Sequence, residues 1–139
     1  RVPGYSSGSI IAGSVFGSEA SGVRAATSAE FSNRDAYILS DGSGTNRFPI
    51  RAGTDAASVA TPLSIAEARA LLEESFTTMS RSRGQIRRPN DSRAQMTISL
   101  VDTHGAVLGI VRGPDAPVFG TDVSLQKART RLEIWAKIG

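Results

Sequence analysis

The segment Gln95–Arg131 (QMTISLVDTHGAVLGIVRGPDAPVFGTDVSLQKARTR) constrains the fold more than any other stretch. Met96, Ile98 and Leu100 alternate with Thr97, Ser99 and Val101. A period of two marks a half-buried strand, since successive side chains leave a strand on opposite faces. Asp102-Thr103-His104-Gly105 then supplies turn chemistry: an Asp able to bond its own backbone and a Gly free at positive φ. Ala106 to Val111 is a near-continuous apolar run, suited to a strand covered on both faces. The spacing predicts an antiparallel hairpin, Met96–Asp102 against Ala106–Arg112. Gly113-Pro114-Asp115-Ala116-Pro117 ends it. A helix beginning near Thr121 or Asp122 places Leu125, Ala128, Leu132 and Trp135 on one face and runs to about Ala136.

A second helix is signalled upstream. Ser64-x-x-Glu67 is a capping box, in which hydroxyl and carboxylate each satisfy an orphan backbone donor. Ile65, Ala68, Leu72, Phe76 and Met79 recur at three or four residues as its buried stripe, and Gly84 is a plausible stop. Nearer the N-terminus, Asp35–Ser40 reads as a strand, Asp41–Asn46 as a turn, Phe48–Ile50 as an extended segment and Thr54–Thr61 as a loop. Residues Arg1–Gly22 are rich in Gly and Ser, with apolar islands at Ile10-Ile11 and Val15-Phe16. Such an arm is either mobile or ordered by packing on a partner. Ser18–Phe31 has the makings of a short helix, with Gly22 against it.

Val101-Asp102-x-x-Gly105, Arg112, Asp115-Ala116-Pro117, Asp122 and Lys127-Ala128-Arg129-Thr130, in that order, resemble the GlcG/HbpS-like haem-binding family. The same domain type forms the C-terminal domain of PduO corrinoid adenosyltransferases. The resemblance spans roughly Leu63 to Thr130. It implies an α+β fold, a profilin-like antiparallel sheet flanked by helices, often oligomeric and in some members binding haem or a related tetrapyrrole. It also implies that Arg112, Asp122, Lys127 and Thr130 lie near a cleft at the sheet edge. Family members continue past the K-A-x-T helix with further strands, where this chain stops. The missing strands are therefore expected from its own first 60 residues or from another chain, because a lone hairpin with helices covers too little apolar surface. On this reading residues 1–62 form a Gly/Ser-rich arm with one or two short strands, and 63–139 form the α+β core.

Composition narrows the function. A chain of 139 residues can bury one real core. No apolar run approaches the roughly 20 residues that span a bilayer. A net charge of +3 is too small to imply nucleic acid. The absence of cysteine excludes disulfides, thiolate metal sites and a Cys nucleophile, and fits either redox compartment. The chain begins at Arg1 without Met, which suggests a removed leader or a longer precursor and an extracytoplasmic (periplasmic or secreted) location.

Most candidate motifs reduce to local structure. His104, the only histidine, sits in a hairpin turn and reads as an exposed turn residue. Gly4-Tyr5-Ser6-Ser7-Gly8 matches the nucleophile-elbow pattern but lacks the preceding strand that strains the serine. Asp41, Ser43 and Thr45 have the first spacings of a calcium loop, yet Ala52 stands where the bidentate Glu belongs. The charge feature that remains is Arg81–Arg93, with five arginines against Asp91 alone. It reads either as a solvated helix end favoured by the helix dipole or as an anion site. In the second case the guanidinium forks of Arg87 and Arg88 would meet haem propionates or an acidic partner surface. No aromatics interleave the arginines to stack bases. Asp122 also reads as an N-cap and Lys127 as a surface charge.

The sequence thus leads to a ligand-binding module without catalysis, for haem or a related tetrapyrrole, held by Arg87, Arg88, Arg112, Asp122, Lys127 and Thr130. The alternative is a structural or assembly subunit that keeps the fold without the ligand. An enzyme acting on 2-hydroxy acids or a tetrapyrrole has no acid–base pair of clear spacing behind it. In either leading case the chain is expected to work as a homo-oligomer or with another chain completing its sheet, with the N-terminal arm and C-terminal helix in the interface.

Overall fold

The predicted hairpin forms. In a computed structural model, β3 (Thr97–Val101) and β4 (Val107–Arg112) pair antiparallel, Ile98 opposite Val111 and Leu100 opposite Gly109, with a register irregularity between Leu100 and Val101. The structure describes residues 11–138, with side chains through residue 132. The Gly4–Gly8 motif, Ile10, and the side chains of Trp135 and Ile138 lie outside the described residues. Gly105 closes the turn at φ 77°, a conformation that costs a residue without Cβ little. Its N–H donates to the Asp102 carbonyl at 2.9 Å.

Helix α1 (Ile65–Arg81) begins at the capping box: Ser64 Oγ accepts from the Glu67 N–H at 3.2 Å, and Glu67 Oε2 accepts from the Ser64 N–H at 2.9 Å. Ala68, Leu72, Phe76 and Met79 are buried as the periodicity requires. Ile65 is exposed, because the stripe reaches the sheet only from Ala68 onward. The helix ends at Arg81, and Ser82 is its C-cap. Gly84 follows in the loop, its N–H donating to the Ser92 carbonyl at 2.8 Å.

Two segments upstream of α1 join the same sheet. Strands β1 (Val23–Ala25) and β2 (Tyr37–Leu39) extend it in the order β1-β2-β4-β3, all antiparallel, with Tyr37 opposite Arg112. The short helix expected over Ser18–Phe31 is not there. Only one 3-10 turn, Glu19–Ser21, forms before Gly22 at φ 72° redirects the chain into β1. Ser21 also bonds the backbone locally, through its Oγ to the Ser18 carbonyl at 2.7 Å, a competition that disfavours helix.

Phe31, Ala36 and Ile38 pack with Leu72, Phe76, Met79 and Val111 in one core, joined at its margin by Ile50, Ile98 and Leu100. These β3 residues face α1. The alternate residues face α2 (Gly120–Ile138), where Ser124 Oγ donates to Ser99 Oγ at 2.9 Å. Every residue of β3 is consequently half-buried: the solvent face that the alternation suggested is covered by α2. The fold is α+β, one open four-stranded antiparallel sheet with a helix against each face. Helix α2 starts at Gly120, one residue before the earliest expected position, so Asp122 lies inside its first turn and is not the N-cap.

No described helix is long and apolar enough to cross a membrane.

Candidate functional site

Arg112, the last residue of β4, is the largest fully buried side chain, 1% exposed. Its strand position points it to the α2 face, where it meets the loop that follows β4. One guanidinium nitrogen donates to the Ala116 carbonyl, while Nε has no partner among the described residues. The guanidinium also lies 5.9 Å from the centre of the Phe16 ring, within cation–π range. Phe16 in turn stacks on Tyr37, ring centres 6.0 Å apart. Burial pushes the Arg112 pKa down from its ordinary value, and the nearby Asp115 charge opposes that shift.

Arg87 reaches the same loop from the segment after α1. It pairs with the Asp115 carboxylate and donates to the Asp115 carbonyl at 2.8 Å. Together Phe16, Arg87, Arg112 and Pro114–Val118 line a cleft of about 410 Å³. Its walls are an aromatic ring, two prolines and a valine, and its polar groups are two guanidiniums and one carboxylate. Such a cleft accepts an apolar body with an acidic group.

The other residues named from the sequence lie elsewhere. Arg88 turns away to Asn90. Asp122 and Lys127 are exposed on α2, and the Thr130 hydroxyl donates to the Gln126 carbonyl of its own helix at 2.8 Å. The arginine-rich segment is a folded loop more than a free cationic face. Arg83 is bonded to the Asn90 carbonyl, and the Ala94 N–H returns to Ser82 at 2.8 Å.

Phe16 was legible only as part of an apolar island; that it seats against Tyr37 and Arg112 depends on β2 lying beside β4. His104 is exposed in its turn, its Nε2 2.8 Å from Ser58 Oγ. Asp41 Oδ1 accepts from the Ser43 N–H, the Ser43 hydroxyl and the Thr45 N–H, at 2.8, 2.8 and 3.1 Å. Those bonds, the Ser43 N–H first, hold its pKa down at about 2; the carboxylate serves the turn. Among the described residues no group of three or more His, Cys, Asp or Glu is placed to hold a metal ion.

Compared with known proteins, the chain matches no family model, no curated protein and no solved structure.

Proposed function

We propose that this chain is a binding module without catalysis of its own, taking haem or a related tetrapyrrole in the cleft between Arg112 and the Asp115–Pro117 loop. The observation that carries the reading is Arg112: a buried guanidinium, its Nε unpaired among the described residues, at the wall of a largely apolar cleft. A buried charge is costly without a countercharge, and a ligand carboxylate in the cleft would supply one. Arg87, paired with Asp115 in the cleft, would reach a second carboxylate by exchanging that partner, and Phe16 with the prolines supplies the face for a flat ring. The resemblance to the GlcG/HbpS-like family names the tetrapyrrole.

The lining offers an aromatic face for a ring and cations for its acids. No His, Met, Cys or Tyr is among its described lining residues, so no axial ligand is assigned, and the ring would be held through its edges and face. Titration with haemin should give a saturable Soret shift, and metal-free protoporphyrin should bind about as well by fluorescence quenching. Arg87→Ala should weaken both by about 1.5–3 kcal/mol, whereas Arg88→Ala, outside the cleft, should change neither. Absence of saturable binding of either ring at micromolar concentration overturns the reading.

A second reading, an assembly subunit, is favoured by the sheet's outer edge. β3 has no neighbour on its far side among the described residues, and Met79, Met96 and Ile98 line a groove of about 370 Å³ along it. Unpaired edges recruit strands. The occupant proposed is β3 of a second copy, and light scattering of the purified chain decides it: a monodisperse monomer removes this reading.

A further inference from the structure

At the turn end of the hairpin, Arg47 and Arg51, four residues apart, and the distant Arg129 of α2 line one cleft. Arg47, Arg51 and Arg129, with Phe48, Pro49, Ala106 and Val107, enclose about 310 Å³. No carboxylate lines this cleft among the described residues, so no described acid compensates the positive charge there, unlike that of Arg87 beside Asp115.

Two of the three are held in place through the same atom. Arg51 donates its Nε to the Val107 carbonyl at 2.5 Å, and Arg129 donates its Nε to the Gly105 carbonyl at 3.0 Å. Both anchors belong to the hairpin, so strand β4 and its turn set the spacing of the two side chains. Anchoring at Nε leaves both terminal nitrogens of each guanidinium available. A fork fixed in this way loses little entropy on gripping an oxyanion. Arg47 lies over the Phe48 ring, 5.7 Å from its centre, which restrains a third fork by cation–π attraction.

We infer that this cleft is a binding site for the phosphate group of a small phosphorylated molecule. Three forks offer more donors than the two oxygens of a carboxylate accept. A phosphate monoester carries three terminal oxygens and about −1.5 to −2 charges. The cleft extends past the arginines to Phe48 and Pro49, which gives the phosphorylated molecule an apolar or aromatic body. The site is separate from the Arg112 cleft, with which it shares no lining residue, and it does not depend on the tetrapyrrole reading.

The test is calorimetric titration with inorganic phosphate and with phenyl phosphate, at low salt. Both should saturate at one site per chain, phenyl phosphate the tighter. Arg47 makes no side-chain hydrogen bond among the described residues, so Arg47→Gln tests the site without disturbing the fold. It should weaken phenyl phosphate by on the order of ten-fold and leave the haemin titration unchanged. Arg129→Lys keeps the charge but loses the fork, and should weaken binding too. Arg34→Gln, on an exposed arginine remote from the cleft, should have no effect. No saturable binding, or an equal loss in Arg34→Gln, overturns the proposal. A single-stranded oligonucleotide that binds more tightly with increasing length overturns it in favour of a nucleic-acid surface.

Discussion

Thr54 donates both its backbone N–H and its hydroxyl to Oδ2 of Asp102, at 2.9 and 2.7 Å. The neighbouring pair repeats the exchange in reverse: Thr103 donates its N–H and hydroxyl to Oδ2 of Asp55, at 3.0 and 2.7 Å. The other oxygen of Asp102 accepts from the N–H groups of His104 and Ala106 at 3.0 and 2.9 Å. One buried carboxylate therefore shapes the hairpin turn and ties it to the loop before α1. The dipeptides Thr54-Asp55 and Asp102-Thr103 are mirror images, the one hint of this pairing in the sequence.

Asp102→Ala leaves four donors without their acceptor and should destabilise the fold by about 2–3 kcal/mol, read as a shift of the urea midpoint. Thr54→Val, which keeps the N–H bond and loses the hydroxyl, should cost less. A midpoint unchanged in Asp102→Ala would mean the exchange is incidental.

The same exchange makes stability pH-dependent. The Thr103 hydroxyl, and then its N–H, hold the Asp55 carboxyl below its ordinary value. Burial pushes Asp102 up, but the bonds from Thr54, Ala106 and His104 outweigh it and the net shift is down. A lowered carboxyl pKa stabilises the fold above the unfolded value of about 3.9, and that contribution is lost as pH falls below it. The melting temperature should therefore drop below about pH 4, and drop less steeply in Asp102→Asn. Parallel profiles for the two proteins would refute the assignment.

Glu30 behaves in the same direction for another reason. Arg24 grips it through two bonds, at 2.8 and 3.0 Å. This pairing, with help from Thr27, lowers the Glu30 pKa from 4.5 to about 2. The pair is partly exposed, so Glu30→Gln should cost only about 1 kcal/mol at neutral pH. The cost should shrink as pH falls from 4.5 towards 2. A cost independent of pH over that window would show that charge is not involved.

Gly109 sits on β4 beneath α1. A Cβ placed there would come within 2.6 Å of Leu72 Cδ1, and Leu72 is itself fully buried. Gly109→Ala should cost about 1–3 kcal/mol by overpacking, measured by denaturant unfolding. Stability equal to the parent would mean that α1 shifts freely on the sheet.

Helix α1 depends on its cap at the other scale. Ser64→Ala removes the acceptor of the Glu67 N–H and should cost about 1 kcal/mol, whereas Ser64→Asp should nearly restore the parent. If Ser64→Ala melts with the parent, the capping box contributes nothing measurable.

Much of the framework was legible along the chain because its causes are local. The alternation from Met96, the turn at Asp102–Gly105 and the capping box at Ser64 act over a few residues, and each element formed where its pattern lay. Strand β2 lies within the expected strand Asp35–Ser40; β1 was harder to read, because three residues carry little periodicity, and that β2 joins β4, some 70 positions away, has no local signal. The faces of β3 were misjudged for a related reason: alternation says which residues share a face, and only the docking of α2 decides whether a face meets water. The sites follow the same division. The sequence alone determined which residue types were present, including arginines rich in fork-like donors. Tertiary structure decided which of them meet: Arg87 with Arg112 and not Arg88, Asp55 with Thr103, and Arg47 with Arg51 and Arg129. Those meetings are set by the order of strands in the sheet and by where loops return across it, and a chain carries no local signal of either.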